Sequence, residues 1–373
     1  MSAPKYLERV VLGEDRGVLS WVIRGLFLPL TVIYRVGLFV FLGIYSLGLR
    51  RRFRLPVPVI SVGNITFGGT GKTPAVQTIC RLLLERGIRV VVLSRGHGGT
   101  VRGSLVVSDG ESVIADAAKA GDEPVLLAKS LPGVPVIVGK DRRKSGALAC
   151  SQFAPEVIVL DDGLQYWQLH RDLDIIVLNA RKPFGSGYVM PMGDLREPIS
   201  GLSRAGLVLL SNSKDLDDAA LGKLQKRLSR IAPRAKIFRG SHVPVSFKDM
   251  RSGKIYDPDW IELYRVLAFC GIGRPASFVK MLDSLKATIS GNLLFPDHHR
   301  FTDEDIDLVE RERERCGADL VVTTEKDIAR LGNSAARINN LVALSIKFEI
   351  EEIQSFAEYI YSKINAKGKE ASA

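Results

Sequence analysis

The chain has 373 residues, 46% of them hydrophobic, which is enough for two domains or for one domain with large additions. Its formal net charge of +11 favours an anionic partner, which could be nucleic acid, anionic lipid or a phosphorylated substrate. The four cysteines are scattered and form no Cys-x-x-Cys pair, and no cysteine and histidine cluster has metal-ligand spacing. This pattern indicates reduced, buried thiols in a reducing compartment.

The N-terminal segment, residues 1–54, is predicted to associate with a membrane. Residues 19–49 are nearly all apolar, interrupted by two arginines and a proline, and four arginines follow at positions 50–54. Such a basic cluster marks the cytoplasmic side of a membrane and attracts anionic lipid. The segment fits a single tilted span, a helix lying in the interface, or a helix buried against the protein. The late start of the apolar run argues against a cleaved signal peptide.

Residues 55–234 are predicted to form a first α/β domain. Short β-branched runs alternate there with helical stretches, which favours a parallel sheet covered by helices. The predicted strands are 57–62, 89–94, 104–108, 134–138, 157–160, 173–178 and 207–211, and the predicted helices are 74–86, 123–130, 141–152 and 215–231.

The remainder of the chain is predicted to hold a β linker at 235–265 and a second, smaller α/β domain at 266–373. Thr302 is the expected N-cap of a charged helix in this domain. The predicted strands are 266–269, 287–294, 320–323 and 342–346, and the predicted helices are 276–285, 302–316 and 351–364.

A glycine-rich loop between the first strand and the first helix predicts a nucleotide-phosphate site. It reads Thr66-Phe67-Gly68-Gly69-Thr70-Gly71-Lys72-Thr73. Backbone N–H groups of such a loop surround phosphate oxygens, and the following helix presents its positive end. We expect Lys72 to reach the β- and γ-phosphates and the Thr73 hydroxyl to bind Mg²⁺. Thr66 stands where the usual pattern has glycine, and the alternative is a glycine-rich turn that happens to precede Lys-Thr.

Three acids stand where phosphoryl transfer would use them. Asp161 and Asp162 end an apolar strand and have the form of a Walker B site for Mg²⁺, although they could be solvated turn acids. Asp122 precedes a helix, where it either caps the helix or serves as a general base for a hydroxyl nucleophile. Gln165 either hydrogen-bonds substrate or metal-bound water, or is an ordinary loop residue.

Four further segments carry candidate residues. The basic segment 139–144 either reaches phosphates or begins a helix in solvent, and Arg196 could clamp a phosphate from a long loop. Asp297-His298-His299 suggests an acid–base or orienting role, or a turn with exposed histidines. In Thr324-Glu325-Lys326-Asp327, Lys326 either contacts the nucleotide or belongs to a turn and helix cap.

Together these motifs resemble those of the tetraacyldisaccharide 4′-kinases, also called lipid A 4′-kinases. The resemblance spans nearly the whole chain, and the threonine at position 66 is itself a family trait. The matching segments are residues 61–66, Gly68 to Pro74, Ser94-Arg95-Gly96, Gly121-Asp122-Glu123-Pro124, Leu160-Asp161-Asp162-Gly163-Leu164-Gln165, Leu195-Arg196-Glu197-Pro198, Asp297-His298 and Thr324-Glu325-Lys326-Asp327.

The resemblance implies a P-loop NTPase-like sheet domain and a second α/β domain joined by a β linker, with the site in the cleft. The implied activity is ATP- and Mg²⁺-dependent phosphorylation of the 4′-hydroxyl of a tetraacylated glucosamine disaccharide 1-phosphate, a step of lipid A biosynthesis. The implied location is the cytoplasmic face of the inner membrane. The partners are then the lipid A disaccharide 1-phosphate precursor and the membrane surface, and not nucleic acid.

The resemblance also assigns roles to single residues. Lys72 and Thr73 match the phosphate-loop lysine and the Mg²⁺-binding threonine, and Asp161 and Asp162 match the Walker B acids. Asp122 matches the proposed general base. His298 matches the histidine that pairs with this base, and Gln165 and Arg196 match positions near metal or substrate.

A second hypothesis is a membrane-associated P-loop nucleotide switch, an ATPase or GTPase that positions cargo. The glycine-rich loop does not distinguish the two hypotheses. Asp122 and Asp297-His298 favour the kinase, because a switch that hydrolyses its nucleotide with water needs no carboxylate–imidazole pair. A nucleic-acid-binding ATPase is disfavoured, since the basic residues do not alternate with aromatic residues placed for base stacking.

Overall fold

A computed structural model of the chain describes residues 3–15, 17–273, 275–297 and 299–370. The described residues contain thirteen strands, eleven α-helices and four short 3₁₀-helices. The strands are β1 Val59–Gly63, β2 Val90–Ser94, β3 Ser104–Ser108, β4 Val136–Gly139, β5 Val157–Asp161, β6 Leu173–Asn179, β7 Leu207–Ser211, β8 Lys236–Asp249, β9 Ile255–Tyr256, β10 Arg265–Cys270, β11 Thr288–Leu294, β12 Leu320–Thr324 and β13 Leu341–Ile350.

The helices lie between and around these strands. The α-helices are α1 Ala3–Leu12, α2 Val18–Ser46, α3 Lys72–Glu85, α4 Ala117–Ala120, α5 Asp122–Ser130, α6 Arg142–Phe153, α7 Asp218–Ile231, α8 Pro275–Ser284, α9 Asp303–Cys316, α10 Glu325–Leu331 and α11 Ile353–Glu370. The 3₁₀-helices are Ile199–Arg204, Ser213–Asp215, Pro258–Leu263 and Gly332–Arg337.

Contacts between residues divide the chain into two units that interleave along the sequence. Unit 1 comprises residues 1–95, 141–241 and 349–373, and unit 2 comprises residues 96–140 and 242–348. The predicted domain boundaries remain predictions.

Unit 1 contains a parallel sheet in the order β8-β7-β6-β1-β5-β2. Its central strand β1 is buried along its whole length, as expected for a strand covered by helices on both faces. β1 and β5 are neighbours, with Val62 paired with Asp161. Because parallel strands end at the same edge of a sheet, the loop after β1 and the acids at the end of β5 lie side by side.

Unit 2 contains a second parallel arrangement and an antiparallel pair. β10 pairs with β11 and β12, and β12 pairs with β13, all in parallel, whereas β3 and β4 are antiparallel. The predicted N-cap of α9 is confirmed: Thr302 and Asp305 form a reciprocal capping box. The predicted α/β class with a mostly parallel sheet is confirmed.

The structure corrects two local predictions and adds two helices. α5 begins at Asp122 itself, and Gly121 precedes it with φ +92°, so the helix-cap role considered for Asp122 is wrong. The predicted elements do not include α1 or the four-residue helix α4. For the segment at α10 the helix-cap alternative is confirmed, because Thr324 caps this helix. All four cysteines are free; the predicted burial is confirmed for Cys80 and Cys270 and is wrong for Cys150 and Cys316, which are only partly buried.

Helix α2 packs its polar side on the rest of unit 1 and exposes its apolar side. Its buried residues are Ser20, Arg24, Thr31 and Tyr45, whereas Leu26 and Phe39 have 72% and 78% of their surface exposed, so the arrangement with the whole helix buried does not hold. By length and composition alone α2 could cross a membrane.

The arginine that interrupts the apolar run at position 24 has a structural role. Arg24 Nη2 donates to the carbonyl oxygen of Val10 at 2.8 Å, near the end of α1. Its guanidinium also lies 5.7 Å from the ring of Trp21 and 5.8 Å from the ring of Tyr188. The charge is therefore directed toward the protein, away from the exposed apolar side of the helix.

Candidate active site

The glycine-rich loop of unit 1 turns at two glycines before α3 begins. Gly68 and Gly71 have φ angles of +94° and +91°, a region that glycine enters without steric cost. A Cβ atom built on Gly68 or Gly69 would meet no atom within 4 Å, so the loop has room beside these residues. α3 starts at Lys72, and its first backbone N–H groups therefore lie at the end of the loop, where they favour an anion.

Side chains behind the loop hold its backbone in place. Asn64 Nδ2 donates to Thr70 Oγ1 at 3.0 Å, and Ser211 Oγ donates to the carbonyl oxygen of Thr70 at 2.8 Å. Thr66 is buried and forms a β-bridge with Leu195. The predicted phosphate-binding segment is thus held by a hydrogen bond from β7 and by the bridge to Leu195.

The two acids at the end of β5 have different environments. Asp161 is buried and its Oδ2 accepts a hydrogen bond from Ser94 Oγ at 2.9 Å. Asp162 has φ +51°, a left-handed conformation that is uncommon outside glycine and concentrates at functional sites. Its Oδ1 lies 3.8 Å from Lys72 Nζ. The structure therefore brings together the lysine and one of the two predicted Walker B acids.

Arg196 also contacts Asp162. Its Nη1 donates to both carboxylate oxygens of Asp162, at 2.9 and 2.8 Å, and to Gln165 Oε1 at 3.3 Å. The guanidinium lies 4.9 Å from the ring of Phe67 in the loop. The Gln165 amide group is engaged as well, since its Nε2 donates to Glu197 Oε1 at 2.8 Å. Arg196 and Gln165 therefore lie at the site, where their side chains hydrogen-bond to Asp162 and Glu197.

The basic segment at 139–144 divides into residues with different environments. Arg143 is bound to the carboxylate of Asp141, at 2.7 Å from its Nη2. Arg142 is 4% exposed, and its guanidinium lies 5.1 Å from the ring of Tyr166. Burial lowers the pKa of Arg142, as does Arg95, while the charges of the two β5 acids oppose the shift. Sequence reasoning did not separate Arg142 from its neighbours.

In unit 2, two acids at the start of α5 contact two bases of α10. Arg330 Nε lies 3.0 Å from Asp122 Oδ2, and Lys326 Nζ lies 2.9 Å from Glu123 Oε1. Arg330 also donates to Asp327 Oδ1 at 3.2 Å. Asp327 is fully buried, and this burial raises the pKa of its carboxyl group. Asp122, the candidate base, is therefore held by an arginine within its own unit.

The predicted segment Asp297-His298-His299 follows β11. His298 lies outside the described residues. The neighbouring His299 Nε2 lies 2.8 Å from Asp305 Oδ2 at the start of α9, and its ring stacks on Phe295 with centroids 4.7 Å apart.

Burial lowers the pKa of Lys326, but the Glu123 carboxylate outweighs burial and the net pKa is raised.

The described residues contain no group of three or more His, Cys, Asp or Glu side chains that could hold a metal ion.

A parallel sheet whose central strand runs through a glycine-rich loop into a helix, with the loop lysine beside an acid of the next strand, defines a P-loop nucleotide-binding protein.

Comparison with known proteins identifies the family. The model of the family described as tetraacyldisaccharide-1-P 4′-kinase (LpxK) matches residues 23–365. The chain belongs to this family. The family resemblance predicted from the motifs is confirmed, and the alternative of a nucleotide switch is not favoured.

Two relatives and one crystal structure illustrate the similarity. A tetraacyldisaccharide 4′-kinase of Anaeromyxobacter sp. is 43% identical over 318 residues, covering 85% of each chain. A tetraacyldisaccharide 4′-kinase of Syntrophus aciditrophicus is 39% identical over 340 residues, covering 88% of this chain and 90% of the relative. The crystal structure of LpxK from Aquifex aeolicus in complex with ATP is 30% identical, covers 92% of this chain and 99% of its own, and superposes with a TM-score of 0.73.

Proposed function

We propose that the chain transfers the γ-phosphoryl group of ATP to the 4′-hydroxyl of a tetraacylated glucosamine disaccharide 1-phosphate, a precursor of lipid A. The observation that carries this proposal is the phosphate loop with Lys72 beside Asp162, in a chain that matches the kinase family over residues 23–365. The Aquifex aeolicus relative was crystallised with ATP, which supports ATP as the donor.

Three residues of unit 1 have the chemistry to hold Mg²⁺ together with the nucleotide phosphates. The Thr73 hydroxyl and the carboxylates of Asp161 and Asp162 supply oxygen ligands, which Mg²⁺ prefers. Few protein ligands are needed, because Mg²⁺ at such sites keeps waters and binds substrate phosphates. When bound, the ion would neutralise charge on the β- and γ-phosphate oxygens.

Phosphoryl transfer asks the protein mainly for positioning and electrostatic stabilisation. The 3.8 Å between Lys72 Nζ and Asp162 is longer than a hydrogen bond, so Lys72 can donate to phosphate oxygens while Arg196 supplies the hydrogen bonds to Asp162. Asp122 is the proposed general base for the acceptor hydroxyl, and His298 is its proposed partner.

We also propose that α2 lies in the cytoplasmic interface of the inner membrane, with its apolar side in lipid. Its polar side contacts the rest of unit 1 at several points along the helix, from Arg24 near its start to Tyr45 near its end. A transmembrane arrangement would break these contacts, whereas an interfacial one keeps them. The exposed residues Arg50, Arg51 and Arg54 would then face anionic headgroups, whereas the guanidinium of Arg52 lies 5.1 Å from the ring of Trp167. The lipid acceptor would lie at the same surface.

The proposal is tested by incubating the protein with Mg²⁺, ATP labelled at the γ-phosphate and the disaccharide 1-phosphate, then separating lipid from aqueous products. We expect the label in the lipid, and we expect Lys72→Met to abolish the transfer. Lys214→Met is the matched control, since Lys214 contacts Glu349 on the surface and should be dispensable. Label found only in inorganic phosphate would contradict the kinase and favour the nucleotide switch.

A further inference from the structure

One residue on the packed side of α2 contacts the candidate active site. The Tyr34 hydroxyl donates to the carbonyl oxygen of Arg196 at 2.7 Å, across 162 residues of sequence. The Tyr34 ring packs against a core cluster of unit 1 that includes Phe184 and Leu195. The hydroxyl therefore makes a directed contact that the ring alone would not provide.

Arg196 is held at both its main chain and its side chain. Its backbone N–H donates to the carbonyl oxygen of Ile65, directly before the phosphate loop, at 2.8 Å. Its carbonyl oxygen accepts from Tyr34, and its guanidinium binds both oxygens of Asp162. Asp162 in turn lies 3.8 Å from Lys72. A continuous series of contacts within unit 1 thus runs from α2 to the phosphate loop.

We propose that Tyr34 is a positioning residue for phosphoryl transfer, because its hydroxyl fixes the Arg196 peptide and through it the Asp162 carboxylate. This inference rests on the proposed function and adds to it that the packing of α2 sets the geometry beside the phosphate loop. Without the hydroxyl, the carbonyl oxygen of Arg196 loses this partner and the peptide is freer to rotate. Small displacements of a positioning group reduce turnover even when the group never touches the substrate.

The test uses the full-length protein with Tyr34→Phe, which keeps the ring and its packing. The net contribution of one hydrogen bond corresponds to a fall in kcat of about three- to tenfold. We expect this fall with an unchanged KM for the disaccharide and unchanged sedimentation with vesicles of phosphatidylethanolamine and phosphatidylglycerol. Ser20→Ala is the matched control: it removes a hydroxyl-to-carbonyl hydrogen bond from the same helix, donated to Asp15 at 2.9 Å, and should leave kcat unchanged.

A double-mutant cycle separates positioning through Arg196 from a general loss of structure. If Tyr34 acts through Arg196, Tyr34→Phe should have little further effect in an Arg196→Lys background. An unchanged kcat in Tyr34→Phe, fully additive losses in the cycle, or an equal loss in Ser20→Ala would overturn the inference. A raised KM for the disaccharide with unchanged kcat would overturn it too, by assigning Tyr34 to lipid binding. Failure of the wild-type protein to label the lipid would instead contradict the proposed function.

Discussion

The Asp122 carboxylate is held 3.0 Å from Arg330, so its position is defined before any acceptor binds. A carboxylate that accepts a proton in the transition state contributes to turnover more than to nucleotide affinity. We therefore expect Asp122→Asn to lower kcat by about a hundredfold or more and to change the ATP dissociation constant little. Steady-state kinetics and calorimetric titration with ATP measure the two quantities.

Asp116→Asn is the control for this substitution. Asp116 caps α4 by accepting from the Lys119 backbone N–H, a bond that asparagine can also make, so its activity should stay near that of the wild type. His298→Ala should lower kcat as well, and non-additively with Asp122→Asn if the two residues act as one unit. Parallel losses of ATP affinity and kcat in Asp122→Asn would remove Asp122 from the role of base.

Arg330 links three groups in unit 2, and its removal should be strongly destabilising. Its side chain is 4% exposed, and it pairs with the fully buried Asp327 as well as with Asp122. Removing one partner of a buried pair leaves an uncompensated charge, which costs about 3–5 kcal/mol. We expect Arg330→Met to lower the free energy of unfolding by roughly this amount, measured by urea denaturation.

An exposed pair with the same spacing provides the control. Arg315 and Glu312 also pair at i and i+3, but the Arg315 side chain is 74% exposed, so Arg315→Met should change stability little. The raised pKa of Asp327 adds a pH dependence: its ionisation disfavours the fold, and this penalty grows as pH rises through the raised pKa. The difference in free energy of unfolding between Arg330→Met and the wild type should therefore narrow in acid, because a protonated Asp327 needs no partner for its charge. Equal destabilisation by both substitutions would contradict this account.

Residues whose type defines their chemistry could be predicted from the sequence, whereas residues defined by their surroundings could not. Lys72 and Thr73 follow glycines in a strand–loop–helix order, and Asp162 ends an apolar strand, so their proximity follows from parallel-sheet geometry. Arg142 is one of several adjacent bases, and only burial distinguishes it. Tyr34 lies in an apolar helix, and only the fold brings it to Arg196.

Helix α6 begins at the N-cap Asp141, whose carboxylate accepts hydrogen bonds from both the main chain and side chains. Asp141 accepts from the Arg143 backbone N–H at 3.0 Å, from the Arg143 guanidinium and from the Tyr166 hydroxyl at 2.8 Å. The hydrogen bond from the Arg143 side chain, aided by Tyr166, holds the pKa of Asp141 well below its ordinary value, although burial opposes the shift. A lowered folded-state pKa stabilises the protein above the unfolded-state pKa, and this stabilisation is lost as pH falls.

We therefore expect Asp141→Asn, which keeps a capping acceptor but no charge, to be less stable than wild type at neutral pH. The difference should shrink as pH falls below about 4, the ordinary pKa of aspartate. Urea denaturation midpoints across this range measure it. Asp217→Asn at the N-cap of α7, where asparagine can still accept from Ala220, should show little change. A difference for Asp141→Asn that is the same at every pH would contradict the assigned cause.

Among the secondary-structure elements, strands and long helices could be predicted from the sequence, whereas several short helices could not. β3 and β7 have the predicted bounds, because each is a short apolar run between turn residues. α10 has only seven residues, and the sequence leaves two alternatives for its start, a nucleotide contact or a turn and helix cap. The structure shows the cap, since Thr324 accepts from the Asp327 backbone N–H. α5 starts where Gly121 adopts a positive φ, which no side-chain pattern indicates.

For the whole molecule, the membrane arrangement depends on which side of α2 is exposed. Burying a Leu or Phe side chain is worth about 1.5–3 kcal/mol, so placing charge at two exposed positions should weaken vesicle binding by at least about tenfold. We predict this for Leu26→Asp combined with Phe39→Asp, measured by sedimentation with vesicles that contain phosphatidylglycerol.

Leu263→Asp is the control, because Leu263 is 80% exposed in unit 2 and lies outside α2. These substitutions are more specific than deletion of residues 1–49, which would also remove the polar contacts of α2 with the rest of unit 1. Vesicle binding by the double variant at the wild-type level would reject the interfacial arrangement.

The division into units could not be read from the order of elements along the chain. Residues 96–140 belong with residues 242–348, and residues 349–373 belong with the phosphate-loop unit. Alternating strands and helices indicate a parallel sheet, but strand order depends on long-range pairing, such as β1 beside both β5 and β6.

The most direct measurement of the central claim is the position of the new phosphate on the product. Phosphorus–proton correlation NMR of the purified lipid, made with Mg²⁺ and ATP, assigns the ester to a carbon of the disaccharide. A cross-peak from the new phosphorus to the proton at the 4′ carbon is the predicted result. A new phosphate attached at any other position, or no second phosphate on the lipid, would contradict it.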